Sequence, residues 1–244
     1  MVDLSIVIAA YNEEKRLPQT LERYFRYFKT IPQTYEIVIV DDGSRDRTKT
    51  VVEELCRIHP ELRLLSHFPN RGRGFSIREG ILAAEGHTVL ETDADGSVDL
   101  GAVGQFLKYF QEHPDTDVLI GSRELSNSRI TLPQPFLRVL LGKGFIYLAQ
   151  ILFGIWDIHD FTLGFKMFRK KAAKDIFARQ FDDHYVAEAE IVFVSKSRGW
   201  KVAELPVTWS DNRDSRVRPL RDSLRSLKGL SKVLWRDMQG KYRK

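Results

Sequence analysis

The sequence predicts an α/β fold, in which a mostly parallel mixed sheet is flanked by helices. Short apolar runs rich in Ile and Val alternate with segments of helical spacing through the first half of the chain. Those runs lack the polar alternation of a half-exposed strand, which is typical of strands covered on both faces. Polar clusters at 11–13, 41–44 and 93–97 follow three of the runs. Ligands of such sheets lie beyond the carboxyl ends of the strands, so the clusters are expected to line one cleft.

The predicted elements alternate regularly in the first half of the chain and less regularly in the second. In the first half we expect strands at 4–10, 35–40, 62–66, 88–92 and 117–120, and helices at 14–28, 46–58, 74–84 and 99–110. In the second half we expect strands at 161–168 and 201–209, a helix at 186–197 and a strongly apolar segment at 133–156. No repeat or linker interrupts the pattern. We therefore expect one domain at 1–212 and a basic, amphipathic C-terminal extension at 213–244.

Composition limits the classes of protein to which the chain can belong. With 43% hydrophobic and 29% charged residues among 244, it can bury a full core and is not broadly disordered. Its single cysteine, Cys56, excludes an internal disulfide and fits a reducing compartment. The first residues form a predicted strand without a basic signal sequence, so a cytoplasmic location is expected. The net charge of +5 suits anionic partners such as nucleotides or phospholipid surfaces.

Asp93 and Asp95 follow the predicted strand at 88–92 and are the strongest candidates for chemistry. In extended backbone, residues two apart point the same way, so the two carboxylates can converge on one cation. Magnesium and manganese prefer oxygen ligands and often bind through one or two carboxylates together with substrate phosphates. The pair therefore predicts a Mg²⁺ or Mn²⁺ site that holds a diphosphate. The alternative is a polar turn formed by residues 95–97.

Several segments together resemble the family 2 glycosyltransferases, whose fold is the Rossmann-like GT-A fold. The segments that carry this resemblance are 5–14, 37–44, 70–74 and 93–97. A narrower resemblance, to the polyprenyl-phosphate or dolichyl-phosphate hexose synthases, rests on 121–123, 164–168, Glu190 and 198–207. The resemblance implies an inverting, metal-dependent enzyme that moves a hexose from a nucleotide-sugar donor to a polyprenyl or dolichyl phosphate at a membrane surface.

The resemblance also implies a role for individual residues of each motif. The residues expected to contact the donor nucleotide are Ala9, Tyr11, Glu13, Asp42, Arg73 and Asp93. The metal would be held by Asp93 and Asp95, the acceptor phosphate by Arg123 and Arg138, and Arg213 would close over the donor phosphates. The residues with an expected catalytic role are Asp95, Arg123, Arg213 and Glu190. An acceptor that is a sugar hydroxyl would need a carboxylate base. Glu190 is the first candidate for that base, and Asp157 and Asp160 are the others.

The identity of the donor sugar is a separate question from the class of acceptor. Mannose-transferring relatives commonly have Gln two residues after the second aspartate, where this chain has Ser97, so UDP-glucose is favoured over GDP-mannose. The alternatives are a soluble family 2 enzyme that acts on a saccharide hydroxyl, a nucleotidyltransferase and a nucleic-acid-binding protein. The first loop, 9–13, lacks the Gly-rich sequence of nucleotidyltransferases. The basic C-terminal region lacks interleaved aromatics, so no nucleic-acid partner is expected.

Two segments suggest contact with a membrane. The uncharged stretch 144–156 is shorter than the roughly 20 residues that cross a bilayer. The segment 133–156 is therefore expected to be an interfacial helix or helix pair, with a buried core helix as the alternative. A second apolar stripe, beside basic residues, consists of Leu220, Leu224, Leu227, Leu234 and Met238. It either lies on an anionic membrane or packs on the domain. Peripheral association with the cytoplasmic face of a membrane is expected, through these segments or an anchoring partner protein.

Overall fold

The computed structural model describes residues 2–184, 186–211 and 219–243, in which strands and helices alternate along most of the chain. In chain order the elements are β1 (Leu4–Ala10), α1 (Leu17–Phe28), β2 (Tyr35–Asp42), α2 (Thr48–Cys56), β3 (Leu62–His67), α3 (Arg73–Ala83), β4 (Thr88–Asp93), α4 (Gly101–Glu112), β5 (Val118–Ser122), β6 (Arg129–Leu132), α5 (Phe136–Phe153), β7 (Phe165–Arg169), α6 (Lys170–Phe177), α7 (Ala187–Ser197), β8 (Val202–Pro206), β9 (Thr208–Ser210) and α8 (Pro219–Met238).

A seven-stranded sheet forms the centre of the fold, with the strand order β3-β2-β1-β4-β7-β5-β8. The strands from β3 to β4 are parallel, as is the pair β5 and β8. Strand β7 lies between β4 and β5 and is antiparallel to both. The predicted mostly parallel mixed sheet with flanking helices is confirmed. Strands β6 and β9 form a separate parallel pair beside the large sheet.

The central strands are covered on both faces because alternate residues point into two different cores. On one face, Val7, Val38 and Val40 pack with buried residues of α3, α6 and α7. On the other face, Ile6 and Ile8 pack with buried residues of α1 and α4. A strand with apolar residues at successive positions satisfies both faces, which is why β1 and β2 appear in the sequence as unbroken Ile- and Val-rich runs.

The second half of the chain departs from the predicted elements. The strand expected at 161–168 begins only at Phe165, because the amides of Thr162 and Leu163 donate to the Asp160 carboxylate, at 3.0 and 3.2 Å, and form a turn. The strand expected at 201–209 is two strands. The amide of Val207 donates to the Ser122 carbonyl at 3.2 Å, and after it β9 pairs with β6. Strand β6 and helix α6 were not predicted.

The apolar segment 133–156 forms the single helix α5, which ends at Gly154 in the left-handed conformation, with φ of 67°. Only Ile146 and Ala149 of this helix are buried. Phe136 and Tyr147 are 80% and 61% exposed, so the alternative of a buried core helix is wrong. Among the described residues, α5 is also the one helix that is long and apolar enough to cross a membrane, by length and composition alone.

The C-terminal helix α8 packs on the rest of the protein, against α5 and α7. Leu230, Val233 and Tyr242 are completely buried there. Two residues of the predicted stripe, Leu227 and Met238, are exposed instead. Among residues 226–238, whose side chains the structure describes, the buried face of the helix contains Leu230 and Val233 rather than Leu227 and Met238. The expected boundary between 212 and 213 falls outside the described residues and stays a prediction.

A pair of leucine substitutions tests whether α8 belongs to the core. Leu230→Ala should lower the free energy of unfolding by about 2–4 kcal/mol, because it removes a fully buried side chain from a packed site. Leu227→Ala, one turn earlier and 41% exposed, should change it by less than about 0.5 kcal/mol. Urea denaturation of both variants provides the measurement. Equal, small losses would contradict the packing of α8.

Candidate active site

A cleft of about 770 Å³ opens beyond the carboxyl ends of the parallel strands, where the sequence predicts it. It brings together nine of the predicted site residues: Ala9, Tyr11, Glu13, Asp42, Arg73, Asp93, Asp95, Arg123 and Arg138. Arg213 lies outside the described residues, so its predicted role is not addressed. Glu190 does not line the cleft. Its carboxylate is completely buried and accepts hydrogen bonds from the amides of Phe181 and Asp182, at 3.0 and 2.6 Å. A catalytic role for Glu190 is therefore not supported.

The ends of β1 and β2 are tied together in the part of the cleft that is predicted to contact the donor nucleotide. Asn12 adopts a left-handed backbone, with φ of 54°, so that its amide meets the Ser44 hydroxyl at 2.9 Å. The amide of Glu13 donates to the Thr48 hydroxyl at 2.7 Å, and its carboxylate accepts from Arg16. These contacts place the first loop directly beside the loop that follows β2. Two clusters far apart in sequence thus form one wall.

Asp42 organises the neighbouring loop, 70–72. Its carboxylate accepts hydrogen bonds from the amides of Arg71 and Gly72, at 2.7 and 3.0 Å, and from the Asn70 side chain at 2.8 Å. His67 Nε2 adds a fourth contact at 2.8 Å. Gly72 has φ of 106°, a conformation open to glycine that turns its amide toward the carboxylate. Asp42 therefore lines the cleft while it holds a second loop in place, and its predicted contact with the nucleotide stays a prediction.

Asp93 ends β4, and Asp95 lies in the turn that follows. The Asp95 carboxylate accepts from the Ser97 amide at 3.0 Å and from its hydroxyl at 2.6 Å, so the polar turn considered above exists as well. Asp93 accepts from Arg73 Nε and Nη2, at 3.0 and 2.8 Å. Burial raises the pKa of Asp93, Arg73 opposes that rise, and the nearby Asp95 charge adds to it. The two carboxylates are therefore close enough to repel one another.

Asp93 and Asp95 fit a site for a hard divalent cation whose remaining ligands come from the substrate. Asp93 and Asp95 supply carboxylate oxygens to the same cleft, and a cation between them would offset their repulsion. The residues that the structure describes contain no group of three or more His, Cys, Asp or Glu side chains that could hold a metal. Mg²⁺ and Mn²⁺ match such a sparse site, because phosphate oxygens and water can fill their remaining positions.

A buried ion cluster that the sequence analysis missed lies beneath Asp93. It consists of Arg73, Glu91, Lys166 and Glu188. Arg73 donates to Glu91 at 3.0 Å and to Glu188, and Lys166 donates to the other oxygen of Glu188. Glu91 and Lys166 are completely buried and lie opposite each other on β4 and β7. One signal was available: each of these two charges interrupts an apolar strand. Nothing in the sequence indicated that they meet.

The pKa shifts in this cluster follow from burial and charge balance. Burial and the nearby Glu188 charge raise the pKa of Glu91 far above its ordinary value, although Arg73 opposes that rise. Burial also opposes ionisation of Glu188, but the adjacent Lys166 and Arg73 charges lower its pKa. The two cations, Arg73 and Lys166, are paired with the carboxylates of Glu188 and Asp93. Buried charges persist when they are paired and hydrogen-bonded in this way.

Arg73 lines the cleft and also holds this cluster together, and its predicted contact with the nucleotide stays a prediction. Its guanidinium spans Glu91, Glu188 and Asp93, a task that needs the planar fork of arginine rather than the point charge of lysine. Gly164 packs directly on this pair. A Cβ at that position would collide with the Arg73 guanidinium and lie 2.8 Å from both Asp93 oxygens.

The predicted acceptor residues, Arg123 and Arg138, line the same cleft. Arg123 donates to Asp160 through Nε and Nη2, at 2.8 and 3.0 Å, and to the Thr162 hydroxyl at 2.7 Å. Arg138 has a longer contact of 3.5 Å with Asp211. The bidentate pair holds Arg123 firmly, whereas Arg138 is held more loosely.

The three candidate bases do not reach this cleft. Asp160 is completely buried in its pair with Arg123. Asp157 is paired with Lys196 and, like Glu190, is not among the residues that line the cleft. The structure therefore does not support these residues as bases for a sugar hydroxyl.

Helix α5, which carries Arg138, contributes to an apolar wall of the cleft. The apolar residues that line the cleft on this side are Ile130, Pro133, Val139, Leu141, Phe145 and Ile146. The cleft is thus lined by the carboxylates of Asp93 and Asp95, by the arginines Arg123 and Arg138, and by an apolar helix.

These features place the protein among the glycosyltransferases. The sequence profile of Glycosyl transferase family 2 matches residues 5–177, so the chain belongs to this family, as predicted. A dolichyl-phosphate beta-glucosyltransferase of Trichomonas vaginalis is 34% identical over 225 residues, which are 89% of this chain and 68% of that protein. The dolichyl-phosphate beta-glucosyltransferase of Homo sapiens is 30% identical over 251 residues, covering 98% of this chain and 77% of that protein. The resemblance to this type of hexose synthase is thereby confirmed.

Solved structures confirm the GT-A fold. One is glucosyl-3-phosphoglycerate synthase from Mycobacterium tuberculosis, crystallised with Mn²⁺, UDP-glucose and phosphoglyceric acid. It superimposes with a TM-score of 0.67 at 14% identity, covering 95% of this chain and 79% of that chain.

Substitution of Gly164 tests the support of Asp93. Gly164→Ala should lower the rate of sugar transfer by about 10- to 100-fold, because the added methyl displaces the Arg73–Asp93 pair from its position. Gly144→Ala is the matched control: it lies in α5, and a Cβ there meets nothing within 4 Å. It should leave the rate unchanged. Steady-state rates and melting temperatures of both variants provide the measurement, and equal rates in the two would contradict the role of Gly164.

The pair of Asp160 and Arg123 should make stability depend on pH within a defined window. Burial alone would raise the pKa of Asp160, but Arg123 lowers it to about 2. An unfolded Asp titrates at about 3.9, so the pair contributes about 2 kcal/mol above that pH and loses it as the pH falls toward 2.

The free energy of unfolding of Asp160→Asn should therefore differ from wild type by a constant amount above about pH 5, and by less below about pH 4. Urea titrations between neutral and acid pH provide the measurement. Asp115→Asn, which breaks an exposed pair with Lys201, is the control and should show a much smaller dependence. A difference that stays constant into acid would exclude the ion pair.

Proposed function

We propose that this protein transfers glucose from UDP-glucose to dolichyl phosphate, or to another polyprenyl phosphate, at a membrane surface and with inversion at the anomeric carbon. One observation carries the proposal: a single cleft is lined by Asp93 and Asp95, by Arg123 and Arg138, and by apolar residues of α5. The carboxylates suit a metal-bound diphosphate, and the arginines beside an apolar helix suit a phosphate attached to a lipid. The names of the relatives from Trichomonas vaginalis and Homo sapiens support the same substrates.

The donor side would bind the nucleotide diphosphate through the residues already described. Asp93 and Asp95 would hold Mg²⁺ or Mn²⁺, which as a Lewis acid stabilises the negative charge on a departing diphosphate. The Mycobacterium tuberculosis structure that shares this fold contains Mn²⁺ with UDP-glucose. Arg213 is proposed to add a second positive charge near the phosphates. The Ser97 hydroxyl donates to Asp95 at 2.6 Å, so the residue on which the preference for UDP-glucose rests also orients a metal ligand.

The acceptor side would bind a phosphate without needing a base. A phosphate monoester has a second pKa of about 6, so at pH 7 it is already largely dianionic and nucleophilic. Its oxygen would form a new bond to the anomeric carbon, while the bond from that carbon to the donor diphosphate breaks and its electron pair leaves with UDP. No proton moves in this step. Arg123 and Arg138 would position the phosphate through charge-assisted hydrogen bonds.

Helix α5 would bring the enzyme to its lipid substrate. Phe136, Leu140 and Tyr147 of α5, and Trp156 just beyond its end, are all more than half exposed, an apolar surface that is costly in water. A helix of this kind can lie in the headgroup region of a membrane, with its exposed residues in the lipid. Because the opposite side of α5 lines the cleft, a lipid phosphate could enter while its chain stays in the bilayer. We propose that the membrane face is the cytoplasmic one.

A panel of donors and acceptors tests the proposal. UDP-glucose with a polyprenyl phosphate and Mg²⁺ or Mn²⁺ should give a lipid-linked glucose, and GDP-mannose should give much less product. Arg138→Ala should raise the KM for the lipid phosphate about tenfold, by loss of a charged hydrogen bond, and leave the KM for UDP-glucose unchanged.

The matched control is Arg26→Ala, which removes an exposed arginine paired with Glu22 on α1. It should change neither KM. Product analysis by mass spectrometry identifies the acceptor. Transfer only to saccharide hydroxyls would overturn the proposed acceptor, and transfer of mannose alone would overturn the proposed donor.

A further inference from the structure

Glu190 lies at a junction between the C-terminal helix and the loop next to the donor site. Its Oε2 accepts the amides of Phe181 and Asp182, and its Oε1 accepts the hydroxyl of Tyr242 and Nη1 of Arg236, the last at 3.3 Å. The carboxylate is completely buried, as is Tyr242. One side chain thus fastens residues 181–182 to the segment that ends α8.

The segment 180–184 in turn supports the beginning of α3. The Asp183 carbonyl accepts the Phe75 amide at 3.2 Å, and Arg78 donates to the Gln180 carbonyl and the Asp183 carboxylate, each at 2.9 Å. The two backbones are also in direct contact. A Cβ on Gly74 would lie 2.5 Å from the Asp182 carbonyl oxygen. The start of α3 therefore cannot shift without moving this segment.

The start of α3 connects both halves of the donor site. The Gly72 amide binds the carboxylate of Asp42, and the Arg73 side chain binds that of Asp93. A displacement here would move the wall formed by Asp42 and the proposed metal ligand together. A continuous set of contacts thus runs from Tyr242 through Glu190 and the segment 180–184 to the donor side of the cleft.

The C-terminal segment is held in place by several further contacts. The Tyr242 ring packs at 5.7 Å from Phe193 and 5.8 Å from Phe181. Arg236 lies over the Phe181 ring at 5.1 Å, and Arg198 donates to the Arg243 carbonyl at 2.9 Å. Aromatic packing and cation–π contacts of this kind stabilise one position of the segment.

We propose that Glu190 is a positioning residue that ties the packing of α8 to the affinity for the nucleotide sugar. This inference rests on the proposed donor site, because it assigns the regulation of that site. Since α8 also packs on α5, a shift of α8 against α5 would alter donor binding. Two sites that share one packed element influence each other by their different preferences for its arrangements.

Tyr242→Phe tests the link because it removes one hydroxyl and keeps the ring. The variant of the full chain should bind UDP-glucose about fivefold more weakly, with a similar rise in donor KM, and keep its kcat at saturating donor and its acceptor KM. The matched control is Tyr35→Phe, which breaks a tyrosine–glutamate hydrogen bond of 3.2 Å with Glu61 at the other end of the sheet. It should leave UDP-glucose binding unchanged.

Hydrogen exchange supplies a readout that needs neither substrate nor activity. In Tyr242→Phe the amides of 70–75 and 180–184 should exchange faster than in wild type, whereas in Tyr35→Phe they should not. If Tyr242→Phe fails to fold, Arg236→Lys, which keeps the charge and disturbs the contact to Glu190, is compared in the same way.

The possible outcomes separate this inference from the proposed function. Unchanged binding and unchanged exchange in the variant would overturn the inference. A change in acceptor KM alone would overturn it as well. A wild-type protein that binds no UDP-glucose would overturn the proposed donor, and the exchange of 70–75 would still decide whether Tyr242 positions that loop.

Discussion

The geometry of the site depends on the ion pairs that the Arg73 guanidinium makes. It holds Asp93 in the cleft from one side and is itself held from below by Glu91 and Glu188. These partners come from different elements, so the cluster joins α3, β4, β7 and α7 at one point. Removal of one partner would leave a buried charge unpaired and would cost several kcal/mol. The members of the cluster therefore keep their positions together or lose them together. The direction of Asp93 is thus determined by its pair with Arg73, which is itself held by Glu91 and Glu188.

Much of the fold could be predicted because it follows from local rules. Strands that are buried on both faces need unbroken apolar runs, and the positions of β1, β2 and β4 are visible in the sequence for that reason. Since the carboxyl ends of parallel strands meet at one edge, the grouping of Asp42, Asp93 and Asp95 in one cleft was also predictable. The resemblance to a known family extended this grouping to Arg123 and Arg138.

Other parts of the site depend on contacts between distant segments and could not be predicted from one sequence. Lys166 and Glu188 meet Glu91 and Arg73 only in the folded chain, and single charges carry no mark of their partners. Glu190 is a second residue whose contacts the sequence does not indicate. An acidic residue in an apolar helix suggests either a catalyst or a buried hydrogen-bond acceptor, and the local sequence is identical in both cases. In the structure its carboxylate is a buried acceptor that binds Tyr242 and the amide of Asp182.

The opposition of Glu91 and Lys166 across β4 and β7 has a consequence for assembly of the sheet. This junction is where the strand direction reverses, and a slip by one residue would set Lys166 opposite Leu90 or Thr92. Hydrophobic neighbours alone discriminate weakly between such registers, since an apolar strand buried on both faces fits several alignments. A slipped register would take the Lys166 ammonium away from Glu188, and a buried charge without its partner is costly. The ion pair between Lys166 and Glu188, which supports the site, thereby also selects the correct register of β4 and β7.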